Sequence, residues 1–131
     1  MKRILITLCT IIILSACSAK PVYNVENSYV PDGITQKQVE KSIVKALIQK
    51  GWKVKSKTDG KIIADINVRD KHTAVIEITY TDKKYSINYV DSTNLKYDVR
   101  KNTIHKNYNN WIIYIDRLVQ TSLLDYSYDD K

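Results

Sequence analysis

Between Trp52 and Val90 the chain alternates apolar and polar residues almost without interruption, and every reversal is only a few residues long. Alternation with period two is the mark of a strand with one buried face. Trp52, Val54 and Ser56 fall on one side of the first segment, with Lys53, Lys55 and Lys57 on the other. Asp59-Gly60 is a strong hairpin turn. Lys61–Arg69 then places Ile62, Ala64, Ile66 and Val68 inward, Thr73–Tyr80 adds Ala74, Ile76, Ile78 and Tyr80, and Tyr85–Val90 offers Tyr85, Ile87 and Tyr89. Connections this short cannot carry a parallel crossover, so the sequence predicts a four-stranded antiparallel meander.

A helix is expected on each side of these strands. Thr35 followed by Gln38 is a capping box, and Ile34 can staple onto Val39. Val39, Ile43, Ala46, Leu47 and Lys50 share a face, Lys37, Lys41, Lys45 and Gln49 cover the rest, and Gly51 supplies a left-handed stop. The second helix is expected from about His105 to about Leu123, with Tyr108, Trp111, Ile112, Ile115, Leu118, Val119 and Ser122 as its buried stripe. Asp91–Thr103 has no clear period and reads as a long connection, and connections of that length are often functional. Asp125–Lys131 reads as a flexible tail. The expected fold is α+β, in the order α-β-β-β-β-α. Both helices cover one sheet face, and the face with Lys53, Lys55, Lys57, Asp65, Asn67, Arg69, Glu77, Ser86 and Asn88 stays wet.

The start of the chain speaks to location. Lys2 and Arg3 precede an apolar run from Ile4 to Leu14, and Ser15-Ala16-Cys17 follow, which is the layout of a secretory signal peptide. The run falls short of the roughly 18–20 residues that a membrane span needs. Leu14-Ser15-Ala16-Cys17 resembles the bacterial lipobox, in which the cysteine thiol takes a diacylglyceryl group, the leader is cut before it, and the freed amine is acylated. That likeness implies a signal peptide over 1–16 and a mature chain lipidated on Cys17; an ordinary signal peptide cut nearby is the alternative. Residues 17–33 then read as the tether, loose over Ser18–Lys20 and partly extended along the fold between residues 21 and 31. The single domain spans 34–124. Cys9 would leave with the leader and Cys17 would carry lipid, so the mature domain would depend on packing rather than a disulfide. The formal charge of +7 stays basic without Lys2 and Arg3. Behind a lipid anchor, that charge fits a solvated lysine surface, anionic head groups or an acidic envelope polymer better than nucleic acid.

Three clusters carry a wider likeness: Lys50-Gly51-Trp52, Tyr89–Tyr97, and Ile104–Trp111. Together they resemble a family of small uncharacterised lipoproteins of Gram-negative bacteria, over roughly Val22 to Leu123. The resemblance implies the fold and the location, and no activity. Ser18 rather than an aspartate after the lipidated cysteine implies the outer membrane, with the domain facing the periplasm.

Catalytic and metal chemistry find little footing. His72 and His105 are the sole histidines and nothing in the sequence places them together for a metal. Asp91, Ser92 and His105 could be drawn as a triad, but the glycines of a nucleophile elbow are missing around Ser92. Three glycines in the whole chain leave no phosphate cradle. No cofactor is expected. The remaining cluster is polar and aromatic: Tyr89, Asp91, Asn94, Tyr97, His105, Tyr108 and Trp111 are the candidate binding residues, with Ser92 and Asn109 beside them. These groups either satisfy one another and pin the long connection, or form a shallow recognition site. The expected function is a non-enzymatic, lipid-anchored envelope module that binds a protein or assists assembly. The alternative is a binder of a small molecule or polymer, such as a peptidoglycan fragment or anionic lipid head group, at residues 89–111.

Overall fold

A computed structural model describes residues 18–129; the expected signal peptide over 1–16 and the expected lipidation site Cys17 lie outside the described residues. The order is β1 (Ala19–Pro21), β2 (Val25–Tyr29), α1 (Gln36–Gln49), β3 (Lys53–Thr58), β4 (Lys61–Val68), β5 (His72–Tyr80), β6 (Lys84–Thr93), β7 (Thr103–His105) and α2 (Lys106–Asp129). No helix among the described residues is long and apolar enough to cross a membrane.

The expected four-stranded meander is corrected to a five-stranded antiparallel sheet, ordered β2-β6-β5-β4-β3, beside a two-stranded ribbon of β1 and β7. The added strand is β2, which lies along β6 and takes its place as the edge of the sheet. Its signal is hidden because the register shifts between Val25 and Ser28, with Asn27 in the left-handed region at φ 49°. The alternation that betrays the other strands is therefore absent. Ala19 and Lys20, read as loose, join Pro21 in a strand that pairs with Thr103–His105. Helix α2 also runs through Asp129, past the expected end near Leu123.

Two bulges reset which side chains face the helices, because one extra residue flips the alternation beyond it. In β3 the register slips between Val54 and Ser56, so Lys57 pairs with Ile62, whose side chain is in the core. Lys57 thus leaves the wet face to which alternation assigned it, and its Nζ reaches Glu40 of α1 at 3.0 Å. In β6 the slip falls between Tyr89 and Asp91, which pair with Ile76 and Val75 respectively. Tyr89 stays on the helix side and Asp91 turns to the other.

One core fills the space between sheet and helices. Ile62, Ala64, Ala74, Ile76, Ile78 and Ile87 from the sheet meet Val39, Ile43 and Leu47 of α1 and Tyr108, Ile112, Ile115 and Val119 of α2, all essentially inaccessible to water. Thr35 caps α1: its hydroxyl accepts from the Gln38 amide at 3.2 Å while the Gln38 side chain accepts from the Thr35 amide at 2.9 Å. The helices touch through Ser42 and Ser122, whose hydroxyl oxygens lie 2.8 Å apart. Lys50, expected on the buried face, instead ends α1 and sets its ammonium 5.2 Å from the Tyr114 ring centre.

Candidate functional site

The seven candidate residues do not form one site. They divide into an aromatic stack, a polar cleft and an outlier. Tyr89 is the centre of the stack. Its ring lies 4.3 Å from Tyr97 at a tilt of 30°, and 5.5 Å from Tyr108 edge-on, a favourable arrangement for aromatic quadrupoles. The bulge in β6 brings Ser92 to the same face, where its hydroxyl meets that of Tyr89 at 2.7 Å. Burial pushes the phenols of Tyr108 and Tyr89 above the ordinary range, with each other's neighbourhood a further cause for Tyr108. Tyr108 is fully enclosed and its hydroxyl has no hydrogen-bond partner among the described residues. Asp91 stands apart on the far face, where its carboxylate accepts from the Ser92 amide at 2.8 Å.

Asn94, His105 and Trp111 line a cleft of about 270 Å³ together with Val68, Arg69, His72, Leu95 and Asn107. Three elements build it: the β4–β5 turn, the end of β6 with the following turn, and the start of α2. The turn Arg69-Asp70 has both residues in the left-handed region, at φ 57° and 53°, which sets Arg69 over the cleft. The Asn94 side chain donates to the Lys71 carbonyl at 2.7 Å, and its own carbonyl accepts from His72 Nδ1 at 2.8 Å. His72 therefore carries its proton on Nδ1. His105 sits one residue before α2, where its Nδ1 accepts from the Asn107 amide at 3.1 Å and so caps the helix. Burial, reinforced by Lys96, Lys106 and His72, lowers the His105 pKa and keeps the ring neutral enough to accept that bond. Trp111, expected in the core, is half-buried on the cleft wall.

The segment 94–103, expected as a long connection, is a tightly bonded turn. Leu95 is buried, and its carbonyl accepts from the His105 amide at 2.7 Å. Asp98 and Thr103 exchange backbone hydrogen bonds at 2.9 and 3.2 Å, and the Asp98 carboxylate accepts from the amides of Arg100 and Lys101.

The same region holds the start of the described chain. Besides the β1–β7 pairing, Lys106 N donates to the Ser18 carbonyl at 3.0 Å and Val22 N to the Asn102 carbonyl at 3.0 Å. Asn109 clamps both sides of Val22: its carbonyl oxygen accepts from Tyr23 N and its amide donates to the Pro21 carbonyl, each at 2.9 Å. Asn24 accepts from the Tyr89 amide at 3.0 Å. Sequence reasoning placed a turn near Asp70-Lys71 but missed Arg69 and His72 as neighbours of His105, because no local pattern says that this turn meets the start of α2. Among the described residues no three His, Cys, Asp or Glu side chains gather closely enough to hold a metal ion. Comparison of the chain with known proteins found no matching family model, no matching curated protein and no matching solved structure.

Proposed function

We propose that the chain is a lipid-anchored binding module of the bacterial envelope. Cys17 carries the lipid at the outer membrane, the domain faces the periplasm, and its work is to present a surface to a protein partner rather than to catalyse a reaction. The observation that supports this reading is how firmly the residues next to Cys17 are built into the domain. Ser18, Pro21, Val22 and Tyr23 are each hydrogen-bonded to α2 or to the turn before it. A floppy leash would leave the domain free to tumble at the membrane. A leash that becomes a strand fixes which end of the domain faces the lipid and which faces outward. Part of the region 89–111 then serves as the joint, with Asn109 and the backbone at 102–106 holding the N-terminal strand and the tyrosines packing together.

Replacing Cys17→Ala is expected to abolish metabolic labelling with a fatty acid and to release the domain from membranes. Each buried methylene contributes about 0.8 kcal/mol, so two or more acyl chains hold firmly where one is marginal. Unchanged labelling of the variant would sink the anchor.

One observation favours a second reading, in which a small anionic molecule or envelope-polymer fragment binds. Arg69, His72, Asn94, His105, Asn107 and Trp111 converge on the cleft, offering a cation, hydrogen-bonding groups and an aromatic wall. A carboxylate-bearing peptidoglycan fragment is expected to shift the Trp fluorescence in the wild type and not in an Arg69→Ala variant. A flat titration would remove this reading.

A further inference from the structure

Away from the joint, α1 and the outer strand of the sheet enclose a groove of about 640 Å³ lined by Lys37, Glu40, Lys41, Val44, Lys45, Ile48, Gln49 and Lys57. Its floor is apolar. Val44 packs partly against the core, while Ile48 is 65% exposed, although it lies on an otherwise regular amphipathic helix. Its rim is basic, with four lysines against one glutamate. That glutamate is already committed: Glu40 receives Lys37 and Lys57 at 3.0 Å each and the Tyr80 hydroxyl at 2.8 Å. Lys41 and Lys45 make no ion pair among the described residues, although they also border the hollow beside Asp125 and Asp129 of α2. On its other side the groove is bordered by Lys57 of β3, the last strand in the order β2-β6-β5-β4-β3, whose outer backbone groups face no neighbouring strand among the described residues.

We propose that this groove takes an extended, acidic segment of a protein partner, which adds to β3 as a further strand and lays alternate apolar side chains over Val44 and Ile48. Strand addition supplies backbone hydrogen bonds, and alternate side chains supply selectivity. Charge selects the occupant. A second copy pairing through β3 would bring together the Lys53, Lys55 and Lys57 of both copies, and like charges across a strand pair are destabilising. An acidic strand meets lysines on both faces of β3, Lys57 toward α1 and Lys53 on the wet face, with opposite sign. Position argues against a membrane surface. Ser18 joins the domain at Lys106, whereas α1 meets α2 at Ser122, roughly 24 Å further along the helix at 1.5 Å per residue. The groove therefore lies toward the end of the domain remote from the anchor. This inference deepens the binding-module reading and rests on it for its cellular role, although the binding itself needs no lipid.

The test uses the whole protein purified from membranes in a mild non-ionic detergent. The probe is a blocked eight-residue peptide alternating Glu and Val, compared with its Lys/Val counterpart and with a copy N-methylated on alternate residues. Saturable binding of the acidic peptide is expected, with amide shifts along 53–58 and affinity at least tenfold above that of the other two. The paired change Lys41→Glu with Lys45→Glu, on exposed positions, should lower that affinity at least tenfold with the melting temperature unmoved. Because the N-methylated peptide leaves the protein unaltered, it tests strand addition even where a variant folds poorly. Equal binding of the three peptides, no binding, displacement by phosphatidylglycerol vesicles, or dimerisation through β3 would each overturn the proposal. Fatty-acid labelling of Cys17 is unaffected by any of these results, so failure here and failure of the anchor are separable.

Discussion

Tyr108 and His105 are three residues apart and show opposite treatments of a polar group. The Tyr108 hydroxyl is enclosed without a partner, and such a group costs about 1–3 kcal/mol relative to a satisfied one. Tyr108→Phe keeps the edge-on contact with Tyr89 and removes the stranded oxygen. The variant should be at least as stable as the wild type, by up to about 1 kcal/mol in chemical denaturation. A loss beyond about 1 kcal/mol would mean that the hydroxyl has a partner. His105 is satisfied only while neutral, since Nδ1 accepts from the Asn107 amide. Its folded pKa lies below its ordinary value, through burial first and the Lys96, Lys106 and His72 charges next. A lowered pKa in the folded state means that stability is fully present above the unfolded value of about 6.5 and drains away as pH falls below it. Stability should therefore decline as pH falls below about 6.5, and His105→Asn, which can still cap the helix, should flatten that part of the profile. An unaltered slope in the variant would assign the decline to other groups.

Among the elements, those with long uniform patterns were legible in the sequence and those set by single irregular residues were not. The capping box at Thr35 and Gln38, the turn at Asp59-Gly60 and the inward row Ile62, Ala64, Ile66 all follow from local chemistry that tertiary packing has no reason to override. Gly60 is required twice: its φ is +77°, and a Cβ there would come within 3.2 Å of the Tyr80 carbonyl. By contrast, β1 and β7 are three residues each and exist because they meet each other, a pairing 84 residues apart that neither sequence announces. The β6 bulge explains the division of the candidate site, since one extra residue sends Asp91 away from Tyr89 and brings Ser92 toward it. Asn109 is the element-scale pivot, clamping Pro21 and Tyr23 to α2. Asn109→Ala leaves two backbone groups without their protein partner, and water can reach this half-exposed position. The expected cost is about 1 kcal/mol, with amide exchange accelerated over residues 19–23 and unchanged in β4 and β5. Uniform acceleration across the sheet would show that the ribbon and the sheet open together.

For the molecule as a whole, the joint lies at the start of α2 and the groove on α1 beside Lys57 of β3, with no side chain in common, so the proposed anchoring and capture need not compete. The β3 edge of the sheet is guarded by lysines and a bulge, a common defence against indiscriminate strand pairing, and under the proposal that defence also sets the sign of the partner. The N-terminal ribbon has a mechanical consequence as well. In the proposed anchored state, tension between membrane and partner would enter at Ser18 and meet the Lys106 contact, then Ala19 against His105, then the Asn109 clamp, one after another rather than all at once. Loaded in sequence, these bonds peel under a modest pull, and residues 18–24 add up to about 25 Å of slack at roughly 3.3–3.6 Å per residue. The five-stranded sheet begins only at Val25, so the ribbon acts as a shock absorber that yields before the folded body bears the load.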